Sequence, residues 1–333
     1  MISTIIEKID DLLKKANFET LNIGNFTNKN TKFCFDLLVK KYDVVFSVKI
    51  FANIDNINPE IIHDIKHLSF ILKSKPILIG IRNRYQKLQD NTIYVRQGLP
   101  FITLNTFEKI LTKNIYPYIL ARRGGGVVFL DGKLMKTLRE QQLITRKELS
   151  ERLEVTKRTV SAYENESMRP SDQIAKKILD VLENSEIFKK INIFKWNIKY
   201  YREKLNLFEE KDLNDFESHL QTILNDIGLS AYWYKKGSIP FKLSLFSSID
   251  KIEKEGFYPL FSAISEKQKK INEMNFQCLK IFNELFNKTA LFIVNNDVKI
   301  PVSIKKDDIH IVKIKKLEEI DDEEEFIELI QES

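Results

Sequence analysis

Cysteine is scarce in this 333-residue chain: Cys34 and Cys278 are its two, far apart and each within an apolar pattern. Two isolated thiols exclude a disulfide framework and read as reduced core residues of a cytoplasmic protein. Long hydrophobic runs are missing as well. No stretch of about 18 uncharged apolar residues occurs, so no membrane-spanning helix is expected. The opening MISTIIEKIDDLLKK carries acids and no small-residue cleavage pattern, which excludes a signal peptide. A Gly-rich phosphate loop, a metal-ligand cluster and a nucleophile triad are also lacking, so neither a cofactor nor a bound metal is expected.

What is present is base, unevenly spread. The net charge is +6, yet residues 317–333 hold nine acids and no base, so the first 316 residues carry +15. A basic body suits a polyanion partner. The acidic end has an apolar stripe of Phe326, Leu329 and Ile330 and reads as a solvated helix face; the alternative is competition with DNA for the basic surface. With 43% apolar residues, the chain is long enough for two or three domains with their own cores.

The most informative stretch is Thr145 to Glu164, TRKELSERLEVTKRTVSAYE. Thr145 and Glu148 have the spacing of a capping box. Leu149 and Leu153 fall on one helical face, and Ser150 lets a second helix cross closely. Val155 sits in the turn, Thr156 caps the next helix and Val160 anchors it inward. Lys157, Arg158, Thr159, Ser161, Ala162 and Tyr163 then face outward. A helix over Lys133–Leu143 precedes, with Leu134 and Leu138 inward. After Arg169-Pro170-Ser171 another helix follows, its stripe made by Ile174, Ile178, Leu179 and Leu182.

These four consecutive elements resemble the helix-turn-helix of the phage-repressor (Cro-like) family over about 55 residues. Two departures stand out. Glu154 occupies a position where the family has a positive-φ glycine, at a cost of about 1 kcal/mol. Arg146 replaces a common glutamine and favours a phosphate or a guanine edge. The resemblance implies double-stranded DNA as partner and a homodimer. Lys157, Arg158 and Thr159 are the base-edge candidates, and Ala162 offers a methyl contact to thymine. Arg146, Lys147 and Thr156 hold phosphates, while Tyr163 serves either task or packs. Arg122 and Arg123, ahead of three glycines in YPYILARRGGG, could form a basic arm on DNA; the favoured alternative is a flexible linker with solvated arginines, since Val127–Leu130 could pull the arm back into a strand.

The expected fold class is multidomain α/β and α+β: a central all-α Cro-type domain of four to five helices at 132–187, between α/β domains at 1–115 and 195–333, with a Gly-rich basic linker at 116–131. In the first, helices at 3–16 and 59–73 flank a hairpin of Lys32–Val39 and Asp43–Phe51, followed by strands at 76–81, 92–95 and 101–103 and a helix at 106–111. This order, with Asp36 and Ser47-Val48-Lys49, resembles the restriction-endonuclease-like (PD-(D/E)xK) nuclease fold. There an Asp and an acid-x-Lys hold a divalent metal. Ser47 stands where the second acid belongs, and a hydroxyl is a poor hard-cation ligand, so the reading is a nuclease-like domain without catalysis and with no catalytic residues assigned.

His63-Asp64-Ile65-Lys66-His67 imitates a zinc-protease motif but has Asp for the general-base Glu and no third ligand by spacing. It reads as a solvent-facing helix turn. In the C-terminal region, helices at 212–226 and 265–286, a hairpin of 231–234 and 241–246 around Gly237, strands at 290–294, 300–304 and 309–314 and a final helix echo the first domain, as a diverged second copy. Alternation exposes Trp233 if Tyr232 and Tyr234 are buried. The whole layout resembles a group of archaeal regulators of the helix-turn-helix type. The leading function is a sequence-specific DNA-binding transcriptional regulator, not an enzyme. The alternatives are a DNA-targeted structure-specific nuclease and a protein-interaction scaffold. A small-molecule effector is not indicated.

Overall fold

The computed structural model describes residues 2–23, 33–122, 125–198, 213–234, 241–247, 258, 260–265, 273–286, 289–300 and 309–332. In chain order they form α1 (Ile2–Lys15), β1 (Glu19–Asn22), β2 (Leu37–Lys41), β3 (Val44–Asn53), α2 (Pro59–Ile71), β4 (Lys75–Arg82), β5 (Thr92–Arg96), β6 (Leu99–Ile102) and α3 (Leu104–Lys113). Next come β7 (Ile119–Arg122), β8 (Gly125–Val128), α4 (Gly132–Gln141), α5 (Arg146–Leu153), α6 (Lys157–Glu164) and α7 (Asp172–Leu182). The chain continues with α8 (Asp215–Asp226), β9 (Leu229–Trp233), β10 (Leu243–Ser247), β11 (Leu260–Ser265), α9 (Glu273–Phe286), β12 (Ala290–Val294), β13 (His310–Lys313), α10 (Ile314–Leu317) and α11 (Glu323–Glu332). The class is mixed α/β, as composition and pattern imply. Two compact units arise: Met1–Ala16, Lys49–Ile57 and Ile77–Ile198 form one, and Asn17–Val48, Asn58–Pro76 and Lys199–Ser333 the other.

In the first unit α1 buries Ile9 and Leu13, four residues apart on one helical face. β4 runs parallel to β6, and β5 antiparallel to β6 and parallel to β7. The two-residue connection from β5 to β6 is Gln97 and Gly98, at φ 50° and 80°. Positive φ at both centres is the type I′ requirement, and it matches the twist of the flanking strands. Thr103 caps α3 by accepting the Thr106 N–H, and Asn114 ends it in the left-handed region. The Gly-rich segment read as a linker is an antiparallel hairpin over its described part, with Arg122 opposite Gly125. Arg123 and Gly124 lie outside the described residues.

In the second unit β1, β2 and β3 form an antiparallel meander whose register pairs Leu37 with Val48. β9, β10 and β11 form another. β12 then runs parallel to β11, and β13 parallel to β12, with α9 between β11 and β12 in the chain. Strand β11 was not anticipated, and Ser265, expected to open a long helix, ends it instead. The run Leu260-Phe261-Ser262-Ala263 is buried throughout, so it shows no alternation to mark it as strand. Residues 235–240, 266–272 and 301–308, where the Gly237 turn, the start of the long helix and most of the 300–304 strand were expected, lie outside the described residues. α11 turns Phe326 and Ile330 into a core with Leu220, Leu224, Trp233 and Leu291. Five of the six acids from Asp321 to Glu328 are exposed.

Two expectations are corrected here. The His63–His67 turn does not face solvent. His67 and Asp64 are buried, because α2 packs against β9 and β10 of the same unit. His67 stacks on Tyr232 at 3.6 Å between ring centroids, and its Nε2 lies 3.3 Å from Ser244 Oγ. The Tyr232 hydroxyl donates to Asp64 Oδ1 at 2.8 Å and lies 2.8 Å from His63 Nδ1. Trp233 is buried too, because α8 covers the opposite face of β9. Helices on both sides of a strand remove the alternation that one-sided burial predicts.

Burial, then the nearby His63, push His67 down to about 3, so it is neutral when folded. The unfolded chain binds a proton near pH 6.5 that the folded chain refuses, so stability falls with pH below about 6.5. Urea unfolding, followed through Trp233 fluorescence in a Trp196→Phe background, should lose about 2 kcal/mol between pH 7 and pH 5. His67→Phe should flatten that dependence; an unchanged slope would refute the burial argument.

Candidate nucleic-acid interface

Helices α4 to α7 form a four-helix module in the first unit. Each first turn is closed by a side chain the sequence supplies locally. Asp131 accepts the Leu134 N–H, Thr156 the Thr159 N–H and Ser171 the Ile174 N–H. At α5 the full capping box forms: Thr145 Oγ1 accepts the Glu148 N–H at 3.2 Å, and Glu148 Oε2 accepts the Thr145 N–H at 2.6 Å. Glu154 ends α5 at φ 56°, the left-handed conformation expected of a glycine position. Its carboxylate is held by Lys177 at 2.8 Å.

The module's core gathers Met135, Leu149, Leu153, Val160, Tyr163, Ala175, Ile178 and Leu182. It also takes Val128, Leu130, Ile187 and Phe188, so helices alone do not close it. Val127 bridges to Ser171, and Leu130 to Phe188. Strand β8 is thereby fastened to the start of α7. Arg169, in the turn before α7, stacks over Phe129 with its guanidinium carbon 4.0 Å from the ring centre.

The angle between α4, α5 and α6 is fixed by an interaction the sequence reading missed. Glu164 ends α6 with its side chain 1% exposed, and Arg139 Nε and Arg146 Nε reach it at 2.6 and 2.7 Å. Arg139 also donates to the Ile144 carbonyl at 2.8 Å. One buried carboxylate thus joins three helices. A Cβ on Gly132 would lie 2.2 Å from the Glu164 carbonyl oxygen, so the first turn of α4 abuts the end of α6 where only glycine fits. An acid twenty-five residues after Arg139 was a usable signal, but outward charge was the simpler reading.

The expected contact residues therefore divide. Lys157 and Arg158 are exposed on the first turn of α6, and Lys147 is exposed on α5. Ala162 is half-buried. Thr156 and Thr159 bond each other through their hydroxyls at 2.8 Å, so Thr159 has less freedom to reach outward than the pattern implies. Arg146 keeps 36% side-chain exposure although it is tied to Glu164. Arg122 is exposed on β7 rather than on a free arm. Tyr163, assigned to the outward face, is corrected: it is buried in the module core, and burial raises its phenol pKa. Helix α6 has only eight residues and is packed from two sides, so its inward face is wider than one stripe.

The Asp36 N–H donates to the Val48 carbonyl at 2.7 Å, and Ser47 is buried on β3. On the nuclease resemblance Ser47 stands where the second acid belongs, and its buried hydroxyl is a weak ligand for a hard cation. Among the described residues no group of three or more His, Cys, Asp or Glu side chains is placed to hold a metal, and no helix is long and apolar enough to cross a membrane.

Residues 135–187 match the helix-turn-helix family model, and residues 2–117 match that of the PD-(D/E)XK superfamily domain. The chain carries both domains. Along its whole length it is similar to archaeal proteins named as candidate HTH-type transcriptional regulatory proteins. One from Archaeoglobus fulgidus is 27% identical, over 100% of this chain and 98% of its own. One from Methanobrevibacter smithii is 29% identical, over 99% and 97%. One from Pyrococcus horikoshii is 27% identical, over 98% and 96%. No solved structure matches.

Breaking a buried ion pair by removing one partner costs about 3–5 kcal/mol. Glu164→Ala should lower the opening free energy of α5 and α6 amides, read by native-state hydrogen exchange, by at least about 3 kcal/mol. Glu164→Gln, which keeps an acceptor, should lose less. Protection that survives both substitutions would show that the carboxylate does not hold the helices.

Proposed function

We propose that this chain is a sequence-specific regulator of transcription that binds double-stranded DNA through α6. The observation that carries the reading is a capped, rigidly held α6 whose first turn exposes Lys157 and Arg158. Arg158 is the main base-edge reader, as guanine offers two acceptors to a guanidinium in the major groove. Lys157 and Thr159 assist, and the Ala162 methyl meets thymine. Lys147, Thr156 and the exposed part of Arg146 hold phosphates and set register, with Arg122 on β7 and Arg123, its neighbour in the sequence, contributing. The chain acts as a homodimer, which sets two α6 helices in successive grooves about 34 Å apart.

The regulator names of the full-length relatives support this reading, and so does the helix-turn-helix match. The flanking α/β regions serve as scaffold and not as enzyme. In the first, Ser47 replaces the acid that cleavage needs. The second is a diverged copy of it: the Lys242 N–H donates to the Ser262 carbonyl at 2.8 Å, as the Asp36 N–H does to Val48. This likeness supports the repeat reading, on which Lys242, paired to Glu217 at 2.9 Å, takes the place of Asp36. The second reading, a nuclease targeted by the same α6, is favoured by the superfamily match over residues 2–117. It requires cleavage with magnesium or manganese.

Selection of genomic fragments with the full chain should recover a short palindromic duplex that is bound and not cut. Arg158→Ala should weaken binding to it about 5- to 150-fold, the 1–3 kcal/mol of a bidentate base contact. Failure to enrich any fragment, or equal binding by the variant, would overturn the assignment; metal-dependent cutting would favour the nuclease.

A further inference from the structure

The first unit holds a second basic surface that the helix-turn-helix reading does not use: the connection from β4 to β5. Its residues 82–87 read Arg-Asn-Arg-Tyr-Gln-Lys. The segment is a built hairpin. Arg82 bridges to Lys87, the Asn83 N–H donates to the Gln86 carbonyl at 2.9 Å, and the Leu88 N–H donates to the Ile81 carbonyl at 3.0 Å. At the tip, Asn83 Oδ1 accepts the Tyr85 N–H at 2.8 Å and the Gln86 N–H at 2.7 Å. Asp55 anchors it from β3's end: Oδ2 accepts the Arg84 N–H at 2.8 Å, and Oδ1 pairs with Arg96 Nε at 2.5 Å. Leu88 is buried behind the tip against Gly80, where a Cβ would lie 2.5 Å from the Leu88 side chain.

This fixed backbone holds out Arg82, Arg84 and Lys87, all exposed, with Tyr85 85% exposed between them. The local acids do not cancel the charge. Asp55 pairs with Arg96, and the ionised Asp90, which accepts from the Thr103 hydroxyl and, at 2.5 Å, from the Asn105 amide, can offset one of the three cations at most, so the tip stays net positive. Three cations and one phenolic hydroxyl on a preformed loop are the groups that grip a sugar–phosphate backbone without reading bases. Ordering long cationic side chains costs entropy, and a loop already fixed lowers that cost.

We propose that the Arg82–Lys87 hairpin is a second duplex contact, holding DNA phosphates independently of α6. The proposal rests on the duplex-binding reading above. Sequence preference then comes from α6, and a share of the affinity and salt dependence from the hairpin. Arg84 contributes its side chain to phosphate, while its backbone N–H keeps the anchor to Asp55.

The test is a salt titration of the full chain on a duplex carrying the selected site with about two helical turns of flanking sequence on each side, comparing wild type, Arg158→Ala and Arg82→Ala/Arg84→Ala/Lys87→Ala. Each phosphate contact contributes about 0.9 to the slope of log K against log salt. The triple variant should lower that slope by about two to three and weaken binding at least tenfold near 0.1 M salt. Its preference for the selected site over a scrambled one should be unchanged. Arg158→Ala should do the reverse, losing preference with little loss of slope. Circular dichroism checks that the triple variant, which removes only exposed side chains, is folded. Wild-type binding with the same slope in the folded triple variant would overturn the hairpin contact and leave the regulator reading standing. Absence of wild-type duplex binding would overturn both.

Discussion

The carboxylate of Glu164 is the interaction on which the helical module depends. It lies at the end of α6, out of water, and takes one guanidinium from α4 and another from α5. Charge in that position is costly unless fully met, and Arg139 and Arg146 meet both oxygens. The module is short: α5 and α6 have eight residues each, too few to be stable as isolated helices. Caps at each start and a shared ion at the centre fix their mutual angle. That angle decides the direction in which the first turn of α6, with Lys157 and Arg158, faces away from α4 and α5.

The same logic appears in the second unit as a cluster of polar side chains. The His63, Asp64 and His67 turn of α2, with Tyr232 of β9, Tyr234 just past its end and Ser244 of β10, forms a largely buried polar layer. Such layers specify one register because a slip of one residue would strand each partner. From β9 to β12 an antiparallel meander is followed by α9 and a parallel strand.

What the sequence showed clearly was local. The Thr145–Glu148 box, the Thr156 cap and the left-handed Glu154 all depend on residues within four positions, and each formed as read. What it hid was distant. The role of Glu164 is hidden in the sequence because its partners sit 18 and 25 residues upstream. The two histidines of α2 looked solvated because their partners lie on β9 and β10, more than 160 residues away. Tyr163 was misplaced because a helix packed on two sides has no single outward face. β11 and Trp233 were missed for the matching reason in strands: burial on both faces erases the period of two.

The central claim, that α6 is the DNA-reading element, is tested most directly by lysine acetylation of the full chain, mapped residue by residue by mass spectrometry, with and without a saturating duplex recovered by selection. The account predicts that labelling of Lys157 on α6 and Lys147 on α5 slows strongly when the duplex binds. Unchanged labelling of Lys157 in a saturated complex would contradict it, whatever other lysines the DNA covers.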